Sequence, residues 1–364
     1  MTKILWFPKE HFRLKIAPDF IYEGTNRMRI WDFHECYRRR AGIESVIAEL
    51  TVRDPNPFDY DVVIFGKGGP SPLVTRWLRR SGILVVWDQC DPIRRIPRRL
   101  AEGVDLISTN SDELKANLEA VGAPAPVVVV YDPHEADHAN PKVHTGADRL
   151  RVTWYGWGHN FRSFVRPLLP ILRSLDFVDF AWAGPDAPEN YAEFGFTPGI
   201  TMGMDPREAW SRPDSWLNFI RNSDVGVVPV FGQVKPQHKA LNYMAYGVAV
   251  ICSPTDGYRR LVCHGENGFI AHTEADWAKY LEILRDPAVR QRMGSRARAE
   301  VGVSRSPGAM TEAHFQAIGR FAARRPPAAN AVRARKFGRS WYPVYRRYQL
   351  WREQAYLRQA GWPA

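Results

Sequence analysis

Short apolar runs recur along this chain with helix-compatible stretches between them, and then the alternation stops and starts again. The first series is KILWF, ESVIAEL, DVVIF, ILVVWD, DLIST and PVVVVYD, with RMRIWDFHECYRRRAG and SDELKANLEAVG between members. Strands apolar at every position, alternating with helices, predict a parallel sheet covered on both faces. Residues 132–149, DPHEADHANPKVHTGADR, are polar and contain proline, as a linker would. The second series is LRVTWYGW, VDFAWAG, VGVVPV and GVAVICS, with FVRPLLPILRSL, PDSWLNFIRNS, HKALNYMAY and EADWAKYLEILRD as helices. The expected fold class is therefore α/β, with two Rossmann-like domains facing a central cleft, and 364 residues suit two cores better than one. The expected boundaries are 1–140, 149–322, and a helical tail over 323–364 set off by RRPPAANA. In open sheets of this kind ligands bind outside the carboxyl ends of the strands, so the strand-to-helix junctions are where chemistry is sought.

Charge narrows the partners. The formal net charge is +11, but from residue 320 onward there are eleven Arg and Lys against one acid, Glu353, so nearly all of the excess lies in the tail. A tail of that kind binds an anionic membrane or nucleic acid, or folds back on its own protein. Nucleic acid is the less expected partner, because it explains nothing about the near-neutral body. No apolar stretch approaches the length of a membrane span, and the N-terminal MTKILWFPKEHFRLK lacks a secretory pattern. Cys36, Cys90, Cys252 and Cys263 are scattered, without metal or disulfide spacing, which fits a reduced cytoplasm.

Three junctions of the second series carry candidate residues. In KALNYMAYGVAVICSP, Pro236 suits a first helical position and places Lys239 in the opening turn, at the positive end of the helix dipole. A lysine is unfavourable there unless an anion shares the site, and Lys235 adds charge to the same end. Asn242, Tyr243 and Tyr246 follow Lys239 at i+3, i+4 and i+7, opposite an apolar stripe of Ala240, Leu241, Met244 and Ala245. The same spacing equally describes an ordinary solvated face. In YGWGHNFRSF a strand ends at Gly156; Gly158 and His159 form a turn, Asn160 can cap, and Arg162 enters the next helix. A tight turn with an incidental arginine is the alternative. SPTDGYRRLV is a third junction, with Thr255 or Asp256 as cap before Gly257 and Tyr258.

In the first series WDQCDP ends a buried strand with two carboxylates, Asp88 and Asp91, suited to acceptor hydroxyls, although Asp91 could simply cap the next segment. Arg27 and Arg29 in GTNRMRIWDF could hold a charged acceptor or donor phosphate, or be solvated. HEADH at 134–138 matches the zinc-protease string, yet Asp132-Pro133 and Asn140-Pro141 flank it and no apolar helix surrounds it. GKGG at 66–69 lacks the closing Lys-Ser/Thr of a phosphate loop. No metal site is expected.

The C-terminal series resembles the retaining glycosyltransferases of family 4 (group 1), which have the GT-B fold. KALNYMAYGVAVICSP stands where that family reads K-x-x-E-Y-M-A-x-G-x-P-V-I, and LVCHGENGFIAHTEADWAKYLEILRD and VRQRMGSRARAEV are similar to the family's closing helices. The likeness covers about residues 150–303, is specific from 239 to 303, and is faint over the first domain. It implies transfer of a sugar from a nucleotide diphosphate sugar, a co-substrate rather than a bound cofactor, with retention and without a metal. The acceptor would be a glycan or a lipid-linked sugar, in glycoconjugate or polysaccharide biosynthesis. The tail would form a last helix crossing back to the first domain, with arginines to spare for an anionic inner membrane face. Together with the junctions, the resemblance assigns Lys239, Arg162 and Asp91 to the chemistry. It assigns Gly156, Gly158, His159, Asn160, Lys235, Asn242, Tyr243, Thr255, Asp256, Gly257 and Tyr258 to the donor. Arg27, Arg29 and Asp88 go to the acceptor. The chain departs from the family at Val234 and Asn242, where two glutamates are usual, at Trp157 for arginine and at Ala249 for proline. A histidine common near the end of the WDQCDP strand is absent. These departures leave a second expectation, a catalytically silent GT-B protein that binds a sugar, a nucleotide or a protein.

Overall fold

The two series of apolar runs become two six-stranded sheets, parallel throughout. The computed structural model describes residues 1–8, 27–48, 54–67, 71–96, 103–123, 125–136, 140–156, 160–183, 200–202, 213–230, 237–324, 328 and 330–359. The chain forms two compact units, residues 1–131 with 310–364, and residues 132–309.

In the first unit β1 (Thr2–Phe7), β2 (Ile43–Ile47), β3 (Val62–Phe65), β4 (Leu84–Asp88), β5 (Leu106–Thr109) and β6 (Val127–Val129) lie in the order β2-β1-β3-β4-β5-β6. Helices α1 (Asp32–Arg38), α2 (Pro72–Arg80) and α3 (Asp112–Ala120) connect them, α1 entered through a π-helical turn at Arg27–Trp31. Leu5, Val63, Val85 and Ile107 of neighbouring strands join one core with Leu78 of α2 and Leu118 of α3.

The second unit orders β12-β11-β10-β7-β8-β9. Its strands are β7 (Leu150–Tyr155), β8 (Val178–Ala183), β9 (Ile200–Met202), β10 (Val225–Val228), β11 (Ala249–Cys252) and β12 (Phe269–Ile270). Its helices are α4 (Leu169–Ser174), α5 (Pro213–Arg221), α6 (His238–Tyr246), α7 (Asp256–Leu261), α8 (Glu274–Ile283) and α9 (Pro287–Ser304). Ala249 and Ile251 of β11 enter one core and Val250 and Cys252 the other, the two-sided burial expected of a parallel sheet. The stretch FVRPLLPILRSL is not one helix. It runs as a π turn (Phe161–Val165), a 3-10 turn (Arg166–Leu168) and then α4, because Pro167 and Pro170 each remove a backbone donor from a regular ladder.

The unit boundaries differ from those expected. The first unit ends at residue 131 rather than 140, because 132–136 is fastened to the second. There the His134 N–H donates to the Arg305 carbonyl at 2.9 Å, the Glu135 N–H donates to Asn242 Oδ1 at 2.9 Å, and Ala136 joins the core. The chain returns at residue 310 rather than 323, within α10 (Pro307–Arg324). That helix buries His314 among Trp6, Phe33 and Tyr37, lays Phe315 under Arg40, and pairs Glu312 with Arg40.

The tail helix, α11 (Ala331–Gln359), packs within the first unit. Gly338 sits on the ring of Phe58, where a Cβ would come within 2.1 Å. Arg335 donates to the Tyr60 carbonyl at 2.8 Å, Arg339 pairs with Asp59 at 2.6 Å, and the Tyr345 hydroxyl donates to Ser71 Oγ at 2.8 Å. The expected crossing of the tail to the first domain is therefore made by both α10 and α11. Among the described residues no helix is long and apolar enough to cross a membrane.

Candidate functional site

The site is built at the carboxyl end of β7, where the chain turns and the start of α6 comes beside it. Gly156 ends the strand at φ 150°, its N–H donating to the Ala183 carbonyl at 2.9 Å. A Cβ there would lie 2.7 Å from the Trp154 ring and 3.0 Å from Lys239 Cε, so only glycine fits under the lysine. Lys239 is the second residue of α6, half-buried, with its Nζ 5.8 Å from the Trp154 ring centroid and 5.7 Å from that of Tyr155. The ammonium is thereby held against two aromatic rings at the positive end of the helix dipole. Neighbouring α7 begins with Thr255 as cap, its hydroxyl accepting from the Tyr258 N–H at 3.3 Å. Gly257 lies in the first turn of α7.

Gln237, which the sequence did not single out, ties these starts together. Its Nε2 donates to the Gly257 carbonyl at 2.6 Å and its Oε1 accepts from Arg305 at 3.2 Å. It is buried, and the Leu241 N–H donates to its carbonyl, so it orients the first turn of α6 toward α7. Its place two residues before Lys239 was the only available signal. Lys235, Gly158 and His159 lie outside the described residues.

The proposed ligand-facing stripe of α6 is corrected. Every residue from Ala240 to Tyr246 is buried. Asn242 has no exposure: its Oδ1 accepts from the Glu135 N–H at 2.9 Å, and its Nδ2 donates to Glu135 Oε2 at 3.1 Å and Tyr155 Oη at 3.2 Å. A buried amide must satisfy its polar atoms internally, and this one does so with the linker. Tyr243 lies flat on Gly226, where a Cβ would meet the ring at 2.4 Å. Its hydroxyl, 3.0 Å from Thr153 Oγ1, starts a chain in which Thr153 donates to Ser223 and Ser223 to the Phe219 carbonyl. Burial raises the Tyr243 pKa far above the ordinary tyrosine value. Tyr258 is likewise a core residue, its pKa raised chiefly by burial. Asp256 points outward and pairs with Arg259 at 3.5 Å. Asn160 makes no side-chain cap, since its own backbone is already helical, and Arg162 is exposed in the π turn that follows.

In the first unit the acceptor assignment changes in the same way. Arg29 and Asp88 are both buried and bind each other bidentately, Nε to Oδ1 at 2.6 Å and Nη2 to Oδ2 at 2.7 Å. Arg29 Nη1 also donates to the Val130 carbonyl at 2.7 Å, and the Ser108 hydroxyl to Asp88 at 2.6 Å. Buried opposite charges persist only when paired this closely, so both side chains are committed to the core. Arg27 lies in the π turn. Asp91 is partly exposed and pairs with Lys67. The HEADH string is in neither helix nor strand over its described residues, and among the described residues no three His, Cys, Asp or Glu are grouped to hold a metal.

With this geometry established, the chain can be set beside known proteins. Residues 213–300 match the family model of glycosyl transferases, group 1. That segment runs from α5 into α9 and contains the starts of both α6 and α7. No curated protein sequence matches the chain. Solved structures similar to it include sucrose-phosphate synthase from Thermosynechococcus elongatus (14% identity, TM-score 0.59), covering 89% of this chain and 100% of that one. HepE from Anabaena, solved with UDP and glucose, is similar at 12% identity and TM-score 0.63, covering 88% and 100%. A glycosyltransferase from Rickettsia africae is similar at 14% identity and TM-score 0.61, covering 89% and 99%. The architecture is that of the GT-B glycosyltransferases.

Proposed function

We propose that the protein is a glycosyltransferase that takes a sugar from a nucleotide diphosphate sugar, with retention at the anomeric carbon, and needs no bound metal. The observation that carries this reading is Lys239 in the first turn of α6 above a glycine that leaves room beside it. When the bond between the anomeric carbon and the diphosphate oxygen breaks, negative charge gathers on the departing diphosphate. The positive end of the α6 dipole and the Lys239 ammonium stabilise that charge in a fixed arrangement, the role a divalent cation plays elsewhere. Arg162, exposed on the turn after Gly156, supplies a further donor. The acceptor hydroxyl then bonds to the same face of the anomeric carbon and passes its proton to the departing diphosphate oxygen.

A uridine nucleotide is the first donor to test, since HepE, a protein of this fold, is solved with UDP, with UDP and glucose, and with UDP-glucose. The acceptor we place as a glycan or lipid-linked sugar of glycoconjugate or polysaccharide synthesis. Cys36, Cys90, Cys252 and Cys263 form no disulfide, which supports a cytoplasmic placement. A second reading, a GT-B protein that binds without turnover, is favoured by Asn242, neutral and fully engaged where the family has a glutamate. Release of nucleoside diphosphate from a panel of nucleotide sugars separates the two. Turnover with one donor, lost in Lys239→Ala, supports the enzyme; binding of a donor without any release supports the second reading.

A further inference from the structure

The tail helix α11 has two faces of different chemistry. Its inner face holds Gly338, Trp341, Tyr342 and Tyr345 against the first unit, and the arginines on or beside that face are matched by acids: Arg335 with Asp61, Arg339 with Asp59 and Arg346 with Asp54. The outer face is turned to solvent from residue 332 to 348. It carries Arg333, Lys336 and Arg347 as exposed cations, and among the described residues no carboxylate pairs with them. Beside this basic strip runs an apolar one: Phe337 is 51% exposed, Val344 69% and Tyr348 52%. The Phe337 ring packs tilted at 4.8 Å against Trp77 of α2, which continues the strip to Leu73, 50% exposed, and adds Arg80 over the Trp77 ring. Neither α2 nor the exposed part of α11 contains an acid.

We propose that this α2–α11 surface docks on an anionic lipid bilayer. Aliphatic and aromatic side chains standing in water beside unmatched cations fit the boundary between headgroups and acyl chains. The apolar strip enters that boundary while the cations meet lipid phosphates. A nucleic acid would engage the cations alone and leave Val344 and Leu73 in water. The sorting of charge points the same way, since the acids of the first unit neutralise the inner arginines and leave the outer ones positive.

The test is co-sedimentation of the full chain with vesicles of phosphatidylcholine alone and of phosphatidylcholine with added phosphatidylglycerol. The expected result is binding only to the anionic vesicles, weakened by salt. Combined Arg333→Glu, Lys336→Glu and Arg347→Glu lowers it by at least about tenfold. Combined Leu73→Ser and Val344→Ser weakens it with the salt dependence kept. All five positions are exposed, so an unchanged circular dichroism spectrum certifies the fold. No binding to anionic vesicles at low salt, or equal binding by the charge-reversed variant, overturns the proposal. So does binding of RNA without binding of anionic vesicles. No sugar donor enters the assay, so its result is independent of the proposed catalysis.

Discussion

Lowering the pH should loosen the second unit at His144, and the size of the effect is set by its contacts. His144 is buried, its Nε2 donating to the Gly247 carbonyl at 2.9 Å and its Nδ1 accepting from Arg290 Nε at 3.3 Å. Arg290 is held in turn by the carbonyls of Leu284, Arg285 and Thr145. A second proton would set an N–H against the guanidinium. Burial first, then Lys142 and Arg290, depress the pKa from 6.5 to about 4, against the opposing pull of the Gly247 hydrogen bond. The unfolded chain therefore binds the proton more readily than the native one, and stability is full above pH 6.5 and falls as pH drops toward 4. A gap of about 2.5 units corresponds to about 3.4 kcal/mol when complete, and to about 2 kcal/mol at about pH 5. The assay is urea denaturation followed by tryptophan fluorescence at about pH 7.5 and pH 5. His144→Gln keeps an amide donor and acceptor but cannot titrate, so it should lose about 2 kcal/mol less than the wild type between these pH values. His314, also depressed to about 4 by burial, is common to both proteins and cancels in the comparison. Parallel losses in the two proteins would refute the reasoning. Gly247 closes the far end of α6, so the same experiment reports on what holds the helix that carries Lys239.

Three further substitutions have expected outcomes. Gly294→Ala would place a Cβ 1.9 Å from the Gly247 carbonyl oxygen, a backbone atom, and should cost about 3 kcal/mol, whereas Gly308→Ala, with nothing within 4 Å, should be near neutral in the same denaturation assay. Asp88→Asn leaves a buried guanidinium unmatched and should destabilise by about 3–5 kcal/mol; a cost below about 1 kcal/mol would mean that Arg29 finds another partner. Gly156→Ala meets both the Trp154 ring and Lys239 at a φ that side chains avoid. It should lower the melting temperature and, if Lys239 is pushed aside, abolish the thermal shift given by UDP.

The strands were legible because a parallel sheet buried on both faces needs unbroken apolar runs, and those runs are local. Gly156 and Lys239 were legible too, as a strand end and a helix start. The lower half of α6 was misread because its spacing suggests an amphipathic helix, while its surroundings bury it from every side. Gly226 admits the Tyr243 ring and Gly294 admits the Gly247 backbone, and neither glycine lies near the helix in sequence. Asn242 finds its partner 107 residues away in the linker, and Arg29 finds Asp88 59 residues on. Spacing carries no information about such pairs, so residues that read as open polar groups are internal ones. Gln237 was missed for the same reason, since its role appears only once α7 and Arg305 come beside it.

Titration calorimetry of UDP and UDP-glucose against the wild-type chain and Lys239→Ala tests the central claim most directly, that the start of α6 holds a donor diphosphate. The expected result is saturable binding to the wild type, weakened by about tenfold or more in the variant. Equal affinities in the two proteins, or no binding of these or any other nucleotide diphosphate, would contradict it.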